Sequence, residues 1–187
     1  MVRKEKNPFS LKIVSIRLKT DRQVMSKDRI DSPKAAIRVV GDILKDMDRE
    51  HICVINMQTN GIPINCSICS IGTLNYAISN PSDLLKSSIL SNAASVIMVH
   101  NHTSGSLEPS SEDIAITDRM IKVCDMVGIP LADHVIVGSD NSGYFSIREK
   151  NLLFFDRKIK YENEIDKLEF SRVAERRASD HEQIYIR

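Results

Sequence analysis

The chain has 187 residues, of which 42% are hydrophobic and 27% charged, the balance of a globular protein rather than a disordered one. No apolar run approaches the ~20 residues needed to cross a bilayer, and the charged start, Met1 to Asn7, is unlike a signal peptide, so a cytoplasmic location is expected. A net charge of +1 predicts no polyanionic partner by itself.

The charge is unevenly spread. Residues 1–31 carry nine basic and four acidic side chains and are +5; residues 32–150 carry nine and thirteen and are −4; residues 151–187 carry eight of each. The basic arm has two readings, a weak and non-specific contact with nucleic-acid phosphate or a solvated edge. Within it, Val14, Ile16 and Leu18 alternate with Ser15, Arg17 and Lys19, which predicts a strand over Leu11 to Leu18 with charges suited to an edge.

Ser32-Pro33 combines a capping residue with proline at the first helical position. Behind it Ala36, Ile37, Val40, Ile43, Leu44 and Met47 recur at helical spacing. Ile52 to Met57 is a near-continuous apolar run, a strand buried on both faces. Asn60-Gly61 signals a hairpin turn, with Ile62 to Ile71 as the returning strand. That return contains Cys66-Ser67-Ile68-Cys69, but no second Cys-x-x-Cys completes a zinc site and no helix start activates the thiols. With Cys53 and Cys124 these cysteines read as small buried residues, reduced in a cytosolic setting.

Asn80-Pro81 opens a second helix with Leu84, Leu85 and Ile89 inward, and Ser95 to Val99 is a short buried strand. A third helix opens at Ser110, runs through Ile114, Thr117, Met120, Ile121 and Cys124, and closes at Gly128 and Pro130. Leu131 to Val137 and Tyr144 to Ile147 are the last strands. The order β-α-β-β-α-β-α-β-β predicts an α/β (α+β) fold, a mixed and largely antiparallel sheet sandwiched by helices. The divisions expected are a basic arm over 1–31, a folded domain over 32–150, and a charged C-terminal tail over 151–187 that is marginally helical.

The chemistry-bearing segment is His100-Asn101-His102, at the end of the fourth predicted strand. Side chains at i and i+2 of an extended chain share a face, so both imidazoles can converge on one ion. Seven residues separate His102 from Ser110 and two more separate Ser110 from Asp113, and residues three apart share one helix face. Two imidazoles and one carboxylate are three ligands for tetrahedral zinc, with the fourth position left for water. Taken alone, Ser110 and Asp113 are better explained as a capping box.

The pattern His-x-His-x7-Ser-x2-Asp resembles the signature of the JAMM (MPN+) metalloproteases. His100 to Gly105, Pro109-Ser110 and Asp133 to Gly138 are similar to its RadC-like branch, over roughly residues 32–150. The resemblance implies a cytidine-deaminase-like architecture and a zinc ion on His100, His102 and Asp113. It also implies a glutamate upstream as general base, here Glu50 in Arg49-Glu50-His51. In the implied reaction, zinc lowers the pKa of a water toward ~7, Glu50 takes the proton as water attacks a peptide or isopeptide carbonyl, and Ser110 or the metal stabilises the oxyanion. Asp133 and His134 are expected in the strand core or supporting the site, and neither His134 nor His51 as a ligand.

Two departures stand out. Thr103 occupies the place where RadC-like sequences usually carry proline, and only about 31 residues precede the domain where longer relatives resemble a helix-hairpin-helix module. A DNA-repair or mobile-element accessory role is therefore the alternative to hydrolysis, resting on the basic arm and not on that module. A scaffold that has lost its metal is disfavoured by the retained Glu50, His100, His102, Ser110 and Asp113. A zinc deaminase would need His-x-Glu and Pro-Cys-x-x-Cys, both missing. Oligomeric state is not legible.

Overall fold

The computed structural model describes residues 15–26, 29–45, 47–70, 80–138 and 143–156. Three helices and five strands follow in the order α1 (Pro33–Lys45), β1 (His51–Met57), β2 (Pro63–Ser70), α2 (Pro81–Leu90), β3 (Ser95–His102), α3 (Ser111–Met126), β4 (Leu131–Gly138) and β5 (Tyr144–Ser146). The sheet runs β2-β1-β3-β4-β5. All its pairings are antiparallel except β3 with β4, which α3 connects. The mixed, largely antiparallel sheet is thus as expected.

Helices cover both faces, and alternation along the strands divides the core. Cys53, Ile55, Met57, Ile97, Val99, Val135 and Val137 face one way, against Ala36, Val40 and Leu44 of α1. Ile52, Val54, Val96 and Met98 face the other way, against Leu84 and Leu85 of α2 and Ile116, Met120 and Cys124 of α3. Strands covered twice must be apolar at every position, which is why β1 reads as an unbroken hydrophobic run.

Local signals place the ends. The Ser32 hydroxyl accepts from the Ala35 N–H at 3.3 Å, and the Asn80 side chain accepts from the Ser82 N–H at 3.2 Å. Gly128 ends α3 at φ +72°, with its own N–H bonded to the Asp125 carbonyl and the Ile129 N–H to the Cys124 carbonyl, a Schellman closure. Gly61, at φ +78°, makes the β1–β2 turn, and its carbonyl accepts from the Ile30 N–H at 2.9 Å.

Several boundaries move. Of the edge strand expected over Leu11 to Leu18, the first four residues lie outside the described ones, and residues 15–18 are exposed chain belonging to no strand. β3 extends three residues beyond the expected Val99 and carries both histidines as strand residues. Buried residues also lie just outside the expected 32–150 span. Ile30 is buried at one end, and Phe155 is buried at the other beneath the Arg148 guanidinium, 5.7 Å from the ring centre. The helix expected in the tail lies outside the described residues. All four cysteines are free thiols, Cys53 and Cys124 buried and the others half-buried. Among the described residues no helix is long and apolar enough to cross a membrane.

Candidate metal centre

The carboxyl end of β3 and the first turn of α3 meet on the α2/α3 side of the sheet. There His100, His102 and Asp113, all buried, bring three potential ligand atoms within 4.8 Å of one another. His100 Nδ1 is 2.9 Å from Asp113 Oδ1, and His102 Nε2 is 3.2 Å from Asp113 Oδ2. Strand alternation aligns the histidines, and the helix start returns the carboxylate between them.

Ser110 sets that carboxylate. Its N–H and hydroxyl both donate to Asp113 Oδ2, at 2.8 and 2.6 Å, while its Oγ accepts from the Asp113 N–H at 3.1 Å. The capping box is therefore real, and it also orients a site residue. One set of contacts caps the helix and orients the Asp113 carboxylate.

His102 is oriented in turn. With its Nδ1 proton donated to the Ser106 carbonyl at 2.9 Å, the Nε2 lone pair faces the cluster. His100 differs. Both its ring nitrogens are buried and neither has an aligned hydrogen-bond partner. Such a group costs about 1–3 kcal/mol unless something else meets it, and a cation is the natural candidate given the donor set around it.

Charge fits the same picture. Although burial opposes ionisation, the His100 and His102 rings hold the Asp113 carboxyl far below the usual carboxylate range. The hydrogen bond with Asp113 raises the His102 imidazole. Protons bridging such groups are what a divalent cation displaces when it binds.

Glu50 sits just before β1. Continuing the antiparallel register two residues past the Ile52–His100 pair puts it across from His102, on the histidine face. Its Oε2 is 3.9 Å from His100 Nε2, and its side chain is 43% exposed. The sequence-predicted residues Glu50, His100, His102, Ser110 and Asp113 thus come together in one place.

Other sequence-flagged residues lie outside this cluster. Asp133 accepts from the His134 N–H, the Arg148 N–H and the Ser146 hydroxyl, tying β4 to β5. His51 turns its ring to the Arg49 carbonyl at 2.8 Å. His134 stacks behind His100 with ring centres 6.0 Å apart, and burial pushes its imidazole down to about 3. Its Nδ1 meets Thr117 Oγ1 at 2.6 Å, and that hydroxyl donates to the Asp113 carbonyl at 2.5 Å.

The supporting roles of Thr117, Ser106 and Asn101 were not evident from sequence. Thr117 carries the one available signal, a polar residue at an inward helical position. Asn101 donates from Nδ2 to the Arg49 carbonyl at 3.1 Å and accepts at Oδ1 from the His51 N–H at 2.7 Å.

Comparison with known proteins agrees with this geometry. The model of a family described as RadC-like JAB domain matches residues 30–152. A UPF0758 protein of Clostridium acetobutylicum is 41% identical over 125 residues, 67% of this chain and 54% of the relative. Others from Desulforamulus reducens and Rubrobacter xylanophilus are 40% and 38% identical over 124 residues, 66% of this chain and 54% and 53% of theirs. The chain spans about half the length of the curated relatives it matches.

Proposed function

The chain belongs to the RadC-like JAB domain family, and from that premise we propose that it is a zinc-dependent hydrolase cleaving a peptide or isopeptide bond. The observation that carries the reading is the buried convergence of His100, His102 and Asp113, with a His100 ring whose nitrogens have no aligned partner.

Zinc held by these three residues would supply a Lewis acid and an acidified water. Two imidazoles and a carboxylate suit zinc and leave a coordination position open. Glu50 stands at the exposed lip of the site, where its carboxylate can take the proton of an attacking water and pass it to the leaving amine. Ser110 holds Asp113 in place through its hydroxyl; stabilising an oxyanion as well requires that hydroxyl to turn from Asp113 to the substrate oxygen.

Protein purified without a histidine tag should contain one zinc per chain, and His100→Ala or Asp113→Ala should abolish uptake. Wild type and both variants equally metal-free under zinc-replete conditions would sink the assignment. Glu50→Gln should keep the zinc and the fold while cutting turnover of an amide or isopeptide substrate by ~10²–10⁴-fold. Loss of zinc from that variant would make Glu50 a ligand rather than a base.

The second reading is a nucleic-acid accessory role, favoured by the exposed Arg17, Lys19 and Arg22 of the arm. Contact through these residues would be weak, indifferent to sequence and steeply dependent on salt.

A further inference from the structure

Asn101 stands between the two histidines, and along a strand its side chain leaves from the opposite face. It is 2% exposed. The backbone register of β1 with β3 stops at the Ile52–His100 pair. Just beyond, the Asn101 amide takes over: Oδ1 accepts from the His51 N–H at 2.7 Å, and Nδ2 donates to the Arg49 carbonyl at 3.1 Å. A primary amide offers a donor and an acceptor much as a peptide group does, so this side chain supplies the rung that the ladder lacks.

The residue between the two bonds is Glu50. Its carboxylate is half-exposed, and among the described residues it accepts no hydrogen bond; its Oε2 lies 3.9 Å from His100 Nε2. With no hydrogen bond at its tip, its aim depends on where the backbone of residues 49–51 is held. The same strand residue that separates the histidines also anchors that backbone, which couples the base to the metal ligands through one side chain.

We propose that Asn101 is the positioning residue for Glu50, fixing the general base relative to the zinc ligands; this rests on the zinc-hydrolase reading above. A misplacement of about 1 Å can cost ~10²-fold in such a site, so a backbone clamp on either side of the base is consequential.

The test uses acetohydroxamate, which chelates zinc through its two oxygens and sets its proton against a neighbouring carboxylate. Zinc content and calorimetric affinity for acetohydroxamate would be measured on wild type, Glu50→Gln, Asn101→Ala, Asn101→Ser and the Glu50→Gln/Asn101→Ala double variant. The exchange rate of the His51 amide would be measured on wild type.

Expected are unchanged zinc content throughout, affinity lowered roughly 10–100-fold in each single variant, and no further loss in the double variant. A slowly exchanging His51 amide is expected in wild type, whether or not the variants fold. Wild-type affinity in both Asn101 variants, additive losses in the double variant, loss of zinc from the Asn101 variants, or a His51 amide exchanging as fast as open chain would each overturn the proposal. A wild type that takes up no zinc fails differently: it defeats the zinc reading itself.

Discussion

At Ser110 and Asp113 one set of hydrogen bonds closes a helix end and aims a carboxylate. The N-terminus of α3 has orphan N–H groups that need acceptors, and the site needs a carboxylate held against two imidazoles. Asp113 meets both needs because one of its oxygens accepts from Ser110 while the other faces His100. Ser110→Ala should therefore cost about 1 kcal/mol of stability through the lost cap and weaken zinc binding at least tenfold, as loss of a ligand's hydrogen-bond partner commonly does. Thermal melting and competitive zinc titration on the same preparation check this. Earlier melting with wild-type zinc affinity and turnover would reduce Ser110 to a cap. The sequence could show the pair and both of its uses, but whether the uses compete depends on where the hydroxyl proton goes.

At the scale of elements, the site is a meeting of three strand and helix ends, and the far end of the sheet is held by a buried carboxylate. Asp133 opens the hydrogen-bonded link from β4 to β5, and burial pushes its carboxyl above the usual range. A raised acid binds its proton more tightly folded than unfolded. Its contribution to stability is thus full below the unfolded value of about 4 and fades as pH rises through the folded value. Asp133→Asn can keep one oxygen for the His134 and Arg148 N–H groups and donate to Ser146 Oγ instead of accepting from it. The variant should match or exceed wild-type stability at pH 7 and lose that advantage below about pH 4. Denaturant midpoints at the two pH values decide it. A variant less stable at pH 7 than at pH 3, relative to wild type, would show that the charge itself is wanted there.

Across the whole molecule, the candidate ligands join β3 to α3, and α3 is the connection between the parallel strands β3 and β4. A cation held there would tie the centre of the sheet to the helix layer and stabilise only the folded chain. With free zinc at 100 times its dissociation constant the gain is about 2.7 kcal/mol, or roughly 5–11 °C in melting temperature for a domain of this size. Chelation should lower the melting temperature of wild type by that order and leave His100→Ala unmoved. Equal melting of chelated and zinc-loaded wild type would show that no metal links these elements.

The sequence alone determined most of the frame, because helix periodicity, strand alternation and the Asn60-Gly61, Asn80-Pro81 and Gly128 punctuation are local physics. It also determined the candidate metal-ligand pattern, because His100 and His102 share a face by strand geometry and Ser110 and Asp113 by helix geometry. Glu50 came from resemblance alone: its distance in the chain from His100 is bridged only by the register of β1 on β3. The tertiary structure decided what depends on such pairing. It put Glu50 beside His100, gave Asn101 the backbone on either side of Glu50, and set His134 and Thr117 behind the site. It also extended the core to Ile30 and Phe155. No local rule reaches these contacts, because each joins segments whose proximity exists only once the sheet has formed.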